Sequence, residues 1–98
     1  MMLYNPNYYN NLLNNYPENI PSPFEAQINL DLGRTYPNDS FFTEKENIKK
    51  LKNILIAVSR RETTIGYCQG FNFIVGKILK ICGNEVIIFL FILIFSLI

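Results

Sequence analysis

The run from Val86 to Ile98 constrains this chain most: thirteen residues, all apolar apart from Ser96. Left open to water, such a stretch is an aggregation hazard, so protein or lipid has to cover it. A helix crossing a bilayer takes about 20 apolar residues. The shorter run reads first as a core helix and second as the stub of a membrane anchor. With 98 residues the chain has room for one small domain.

The rest of the sequence is punctuated like helices. Thr43-Glu44-Lys45-Glu46 forms a capping box with Thr43 as the cap. Behind it Ile48, Leu51, Leu55 and Val58 recur at spacings of three and four, one apolar face of an amphipathic helix. Glu44 and Glu46 near its start and Arg60 and Arg61 near its end both suit the helix dipole. Ser22-Pro23-Phe24-Glu25 is an earlier helix start, with Ser22 as cap and Pro23 in the first helical position. That helix continues through Ile28 and Leu32 and should end at Gly33 in the left-handed conformation, before Pro37. A third helix is expected from about Tyr67 to Cys82, stopped by Gly83, with Phe71, Ile74, Val75, Ile78, Leu79 and Cys82 on its buried side. Asn84 then caps a fourth segment, Glu85 to Ile98, apolar all round as buried helices are. Tyr8, Tyr9, Leu12, Leu13 and Tyr16 allow one or two helical turns before Pro17. No strand alternation occurs. The expected fold is all-α with about four helices, divided into an Asn/Tyr-rich segment over 1–21 and a domain over 22–98.

Composition excludes several chemistries. Nine basic and eight acidic residues give a net charge of +1, which offers no electrostatic case for nucleic acid or for anionic lipid. Without histidine, no Ser-His-Asp or Cys-His nucleophile can be assembled. Cys68 and Cys82 are too few for a disulfide framework or a zinc site. They read as reduced thiols of an intracellular protein, because Met1 to Tyr16 is polar and Asn-rich, unlike a signal peptide. Neither Gly-x-x-x-x-Gly-Lys nor Gly-x-Gly-x-x-Gly is present, so the chain has no standard nucleotide cradle. Phosphate chemistry would need a nucleotide held by a partner and residues delivered in trans.

Two motifs fit that requirement. Ile28-Asn29-Leu30-Asp31-Leu32-Gly33-Arg34-Thr35-Tyr36-Pro37 contains Ile-x-x-Asp-x-x-Arg, and Ile65-Gly66-Tyr67-Cys68-Gln69-Gly70-Phe71-Asn72 contains Tyr-x-Gln. Each short pattern alone is weak. Their order, their flanking residues and the helix between them make the combination specific. Residues 8 to 98 resemble the N-terminal portion of a TBC domain, most densely from Gln27 to Asn72. The resemblance implies a helical activator of a Rab-type small GTPase, active in vesicle trafficking and not an enzyme in its own right. It implies Arg34 as an arginine finger and Gln69 as a glutamine finger, with Asp31, Ile28 and Tyr67 in support. GTP and Mg2+ would be held by the GTPase, the chain having no cofactor of its own. The setting implied is intracellular and cytoplasmic, peripheral to endomembranes, with any membrane contact indirect. Phe71 stands where the family often has Met, the chain lacks the family's usual Trp residues, and the later helices of a TBC domain are not represented before Ile98.

The residue types suit the chemistry. Phosphoryl transfer spreads negative charge over the γ-phosphate and bridging oxygens, and catalysis consists of positioning and electrostatic stabilisation. Guanidinium is permanently charged and offers a fork of donors that fits phosphate. An arginine finger contributes roughly 10³–10⁵ in rate, about 4–7 kcal/mol of barrier. A glutamine amide can donate to and accept from the attacking water. Blander roles stand beside these. Asp31 and Arg34 have the spacing of a surface ion pair of little energetic value. Tyr67 suits packing and fixing of the Gln69 loop, Cys68 a buried small hydrophobe, and Arg60 and Arg61 a solvated helix end. Gly66 and Gly70 would allow close backbone approach. The alternatives to an activator are a truncated, non-catalytic fragment or Rab-binding module, and a small membrane-associated protein using Val86 to Ile98.

Overall fold

A computed structural model describes residues 6–14, 24–61 and 66–96, with side chains over 7–14, 24–61 and 66–92. The described residues are helical, without strands: α1 (Pro6–Asn14), α2 (Glu25–Leu32), α3 (Ser40–Thr43), α4 (Lys45–Arg61), α5 (Phe71–Cys82) and α6 (Glu85–Ser96). Six helices stand where about four were expected: α1 falls on the one or two turns allowed around Tyr8 to Leu13, and the four-residue α3 is too short for periodicity to reveal. The expected boundary at residues 21 and 22 and the Ser22 cap lie outside the described residues.

The long amphipathic helix α4 is the hub and packs against all five others. Its Leu51, Ile54, Leu55, Ile56, Ala57, Val58 and Ser59 are all buried. The single face expected from Ile48, Leu51, Leu55 and Val58 therefore widens, and from Ile54 to Ser59 every residue is buried. Ser59 tolerates this burial by donating to the Ile56 carbonyl at 2.8 Å.

On one side of α4 lie α1 and α6. Tyr9 is buried, its ring 4.9 Å from that of the fully buried Phe89, and its hydroxyl donates to Glu85 at 2.6 Å. Arg60 Nη1 donates to the Leu12 carbonyl at 2.7 Å, satisfying an end carbonyl of α1. Arg60 is thus a tie between helices and not a solvated helix end. In α6, Ile88 and Phe89 are buried, whereas Ile87 and Phe91 are about half exposed. The described part of α6 packs against α4, α5 and α1 and leaves Ile87 and Phe91 open, so it is not covered all round as expected. Among the described residues no helix is long and apolar enough to cross a membrane.

On the other side lie α2, α3 and α5. Asp39 caps α3 by accepting from the Phe41 amide at 2.9 Å. Thr43 belongs to α3, where its hydroxyl donates to the Ser40 carbonyl. The Glu44 carbonyl accepts the Asn47 and Ile48 amides instead, so α4 starts one residue later than the expected Thr43 cap. Helix α5 begins at Phe71, not Tyr67, and buries Asn72, Val75, Gly76 and Leu79. Ile74 and Cys82, expected inside, are exposed, because the buried stripe is rotated toward Asn72. Gly83 ends α5 with φ 76°, and Asn84 Oδ1 accepts the Ile87 amide at 3.1 Å.

Candidate functional site

Helix α2 closes with a tight turn. Asp31 O accepts the Arg34 amide at 3.0 Å and Leu32 O the Thr35 amide at 3.3 Å. Gly33 stays right-handed at φ −67°, contrary to expectation, and the positive φ falls instead on Tyr36, at 44°. The Tyr36 ring holds that unusual conformation by stacking on Phe42, meeting Phe73 edge-on at 5.5 Å, and donating its hydroxyl to the Phe73 carbonyl at 3.2 Å. Arg34 is thereby presented on the surface just past the helix end.

The second motif forms the approach to α5. Gly66 has φ +63°, and a Cβ there would overlap the Phe24 ring at the start of α2. Only glycine meets both demands, and the chain passes directly over α2. Gly70 has φ +106° with open space around it, so its need is conformational and not the expected close approach. Gln69 precedes Gly70, the N-cap of α5, and lies outside the first helical turn. Both Gln69 and Cys68 are exposed. The expectation of a buried Cys68 fails: its side chain is open to solvent.

Between these two surfaces runs a buried polar seam. Asp31, Tyr67, Asn72 and Thr35 are each at most 8% exposed. The Tyr67 hydroxyl donates to Asp31 Oδ2 at 2.6 Å, and Gln27 Nε2 donates to Asp31 Oδ1 at 3.1 Å. Burial, and then the hydrogen bond and charge of Asp31, push the Tyr67 hydroxyl well above the usual tyrosine range. The phenol therefore stays protonated and remains a donor. Asn72 Nδ2 donates to Thr35 Oγ1 at 2.8 Å and lies 3.3 Å from the Asp31 carbonyl. Thr35 Oγ1 donates to the same Asp31 carbonyl at 2.8 Å.

Asp31 does not form the surface ion pair with Arg34 that their spacing allows; its carboxylate faces inward to Tyr67 and Gln27. Ile28 is fully buried one turn before Asp31 and anchors α2 to the core. The side chains of Arg34 and Gln69 have no hydrogen bond to each other among the described residues. Residues that flank them are joined, Tyr67 to Asp31 and Asn72 to Thr35. Thr35, Tyr36 and Asn72 are the residues of this site to which sequence reasoning gave no role. All three lie inside the two motifs, and their adjacency to Arg34 and Gln69 was the available signal. Among the described residues no group of three His, Cys, Asp or Glu side chains could hold a metal ion.

Residues 2–97 match the Rab-GTPase-TBC domain family, and the chain belongs to it. It is 48% identical over 69 residues to TBC1 domain family member 2B of Xenopus tropicalis, covering 68% of this chain and 7% of that protein. It is 42% identical over 84 residues to a TBC domain-containing protein of Schizosaccharomyces pombe, covering 85% and 11%. Growth hormone-regulated TBC protein 1-A of Danio rerio is 34% identical over 84 residues, covering 83% and 23%. The chain thus spans less than a quarter of the length of these relatives. No solved structure gives a significant match.

Proposed function

We propose that this chain accelerates GTP hydrolysis by a Rab-type GTPase, inserting Arg34 and Gln69 into the partner's nucleotide site. One observation carries the reading. Two exposed polar side chains of the right chemistry sit on loops that a buried hydrogen-bonded seam ties together, in a chain of the Rab-GTPase-TBC family. The GTPase holds GTP and Mg2+. Arg34 neutralises charge that develops on the γ-phosphate and bridging oxygens as the terminal phosphoryl group leaves. Gln69 donates to and accepts from the attacking water and keeps it in line. Asp31 and Tyr67 take no part in the chemistry; they hold the loops. With a Rab as partner, the site of action is the cytoplasmic surface of endomembranes, reached through the GTPase.

A Rab-binding role without catalysis is the second reading. It is favoured by the apolar side chains open on α5 and α6, Ile74, Ile81, Ile87 and Phe91. Single-turnover GTP hydrolysis across a panel of Rab proteins separates the two. Acceleration removed by Arg34→Ala and by Gln69→Ala supports the activator. Binding of a Rab with no acceleration, or acceleration indifferent to both substitutions, overturns the finger mechanism.

A further inference from the structure

The polar seam has a member that does more than fill space. Asn72 is 1% exposed in the second position of α5. A buried amide costs free energy unless its donors and acceptor are satisfied. At Asn72 the partners are satisfied in a particular way. Its Nδ2 donates 2.8 Å to Thr35 Oγ1 and lies 3.3 Å from the Asp31 carbonyl, and its Oδ1 lies 3.3 Å from the Tyr67 hydroxyl. The Asp31 carbonyl also accepts the Arg34 amide and the Thr35 hydroxyl. Both Asn72 donors therefore end on the backbone and side chain that bracket Arg34, although Asn72 itself stands three residues after Gln69. Thr35 Oγ1 completes a closed relay, accepting from Asn72 and donating to Asp31 O.

We infer that Asn72 and Thr35 are positioning residues that make the arginine loop and the glutamine turn one mechanical unit. This rests on the proposed function for its catalytic consequence, and on geometry alone for the linkage. Two fingers must reach one nucleotide together, and placement errors near 1 Å cost up to roughly a hundredfold in rate. Tyr67 to Asp31 is the outer tie, and Asn72 to Thr35 is the inner one, next to Arg34 itself. Loosening the inner tie frees Arg34 to wander without removing it.

The linkage is tested by amide hydrogen exchange on the full chain. Four hydrogen-bonded amides report on local opening on the two sides of the seam: Arg34 and Thr35 in the turn after α2, Phe71 and Phe73 in the first turn of α5. Asn72→Ala should speed exchange at Arg34 and Thr35, across the seam, by roughly tenfold or more relative to α4 amides. Thr35→Val, nearly isosteric, should do the same at Phe71 and Phe73, while Thr35→Ser, which keeps the hydroxyl, should match wild type. Acceleration confined to the mutated element, or spread evenly over α4 as by global unfolding, overturns the linkage. This result is read whether or not any GTPase responds. With a responsive Rab, Asn72→Ala should lower the rate at saturating chain by roughly ten- to a hundredfold, with KM little changed. In the Arg34→Ala background it should cost nothing further. Equal losses in kcat and binding, or losses that add to that of Arg34→Ala, would contradict a role exerted through Arg34.

Discussion

Replacing Gly66 with alanine tests how the second motif is seated on α2. Two separable costs follow from the geometry. At φ +63° an L-residue is in left-handed space, which costs about 1–2 kcal/mol. The added Cβ also overlaps the Phe24 ring, and forcing a core to accept an extra carbon costs about 1–3 kcal/mol. The sum is about 2–5 kcal/mol, against a total stability of roughly 5–15 kcal/mol for a domain of this size. Urea unfolding measures the loss. A cycle with Phe24→Ala divides it, since without the ring Gly66→Ala should cost only the conformational part. The coupling should therefore be about 1–3 kcal/mol. A loss below about 0.5 kcal/mol, or the same loss with and without the ring, would refute this account of how the two segments meet.

Other substitutions probe the remaining contacts. Tyr67→Phe deletes the donor to the buried Asp31 carboxylate and should cost about 1–3 kcal/mol in urea, more than the methyl-sized change suggests. Phe89→Ala empties the fully buried contact of α6 with Tyr9 and should cost about 3–5 kcal/mol. Arg34→Ala, by contrast, removes an exposed side chain that has no hydrogen bond or ion pair among the described residues and should change stability by no more than about 0.5 kcal/mol. Stability should also fall at high pH. Tyr9 and Tyr67 have folded pKa values raised above the ordinary 10.0, by burial first and then by Glu85 and Asp31. The unfolded chain releases these protons first, so stability holds below pH 10 and declines as pH rises beyond it, by up to about 1.4 kcal/mol per pH unit for each tyrosine. Replacing either with phenylalanine should make that alkaline decline shallower in a pH series of urea midpoints.

How far the sequence could be read follows from how much of each element is local. Helix α4 was legible because its apolar spacing, acidic start and basic end agree. Gly83 and Asn84 act as stop and cap because their roles depend on adjacent backbone only. Helix α3 was not legible: four residues carry no period, and it exists because Asp39 caps it and Phe42 finds a buried place. The face of α5 was misread because the helix has apolar residues nearly all round, and pattern reading sends a polar Asn outward. Here Asn72 points inward, since partners from α2 and its following turn satisfy it. Thr43 looked like a cap from spacing alone, but α3 claims its hydroxyl. The two proposed finger residues, Arg34 and Gln69, were picked out from their motifs alone. The buried seam that joins their loops was not, because it consists of contacts across more than 35 positions in sequence.

The claim that Arg34 and Gln69 act on the transition state is tested most directly by affinity for a mimic of it. The chain would be titrated against one Rab loaded with GTP and against the same Rab loaded with GDP and aluminium fluoride, whose planar fluoride resembles the transferring phosphoryl group. The account predicts tighter binding to the mimic, a preference abolished by Arg34→Ala and weakened by Gln69→Ala, with affinity for the GTP form nearly unchanged. Equal affinity for both forms, or a preference that survives Arg34→Ala, would contradict it.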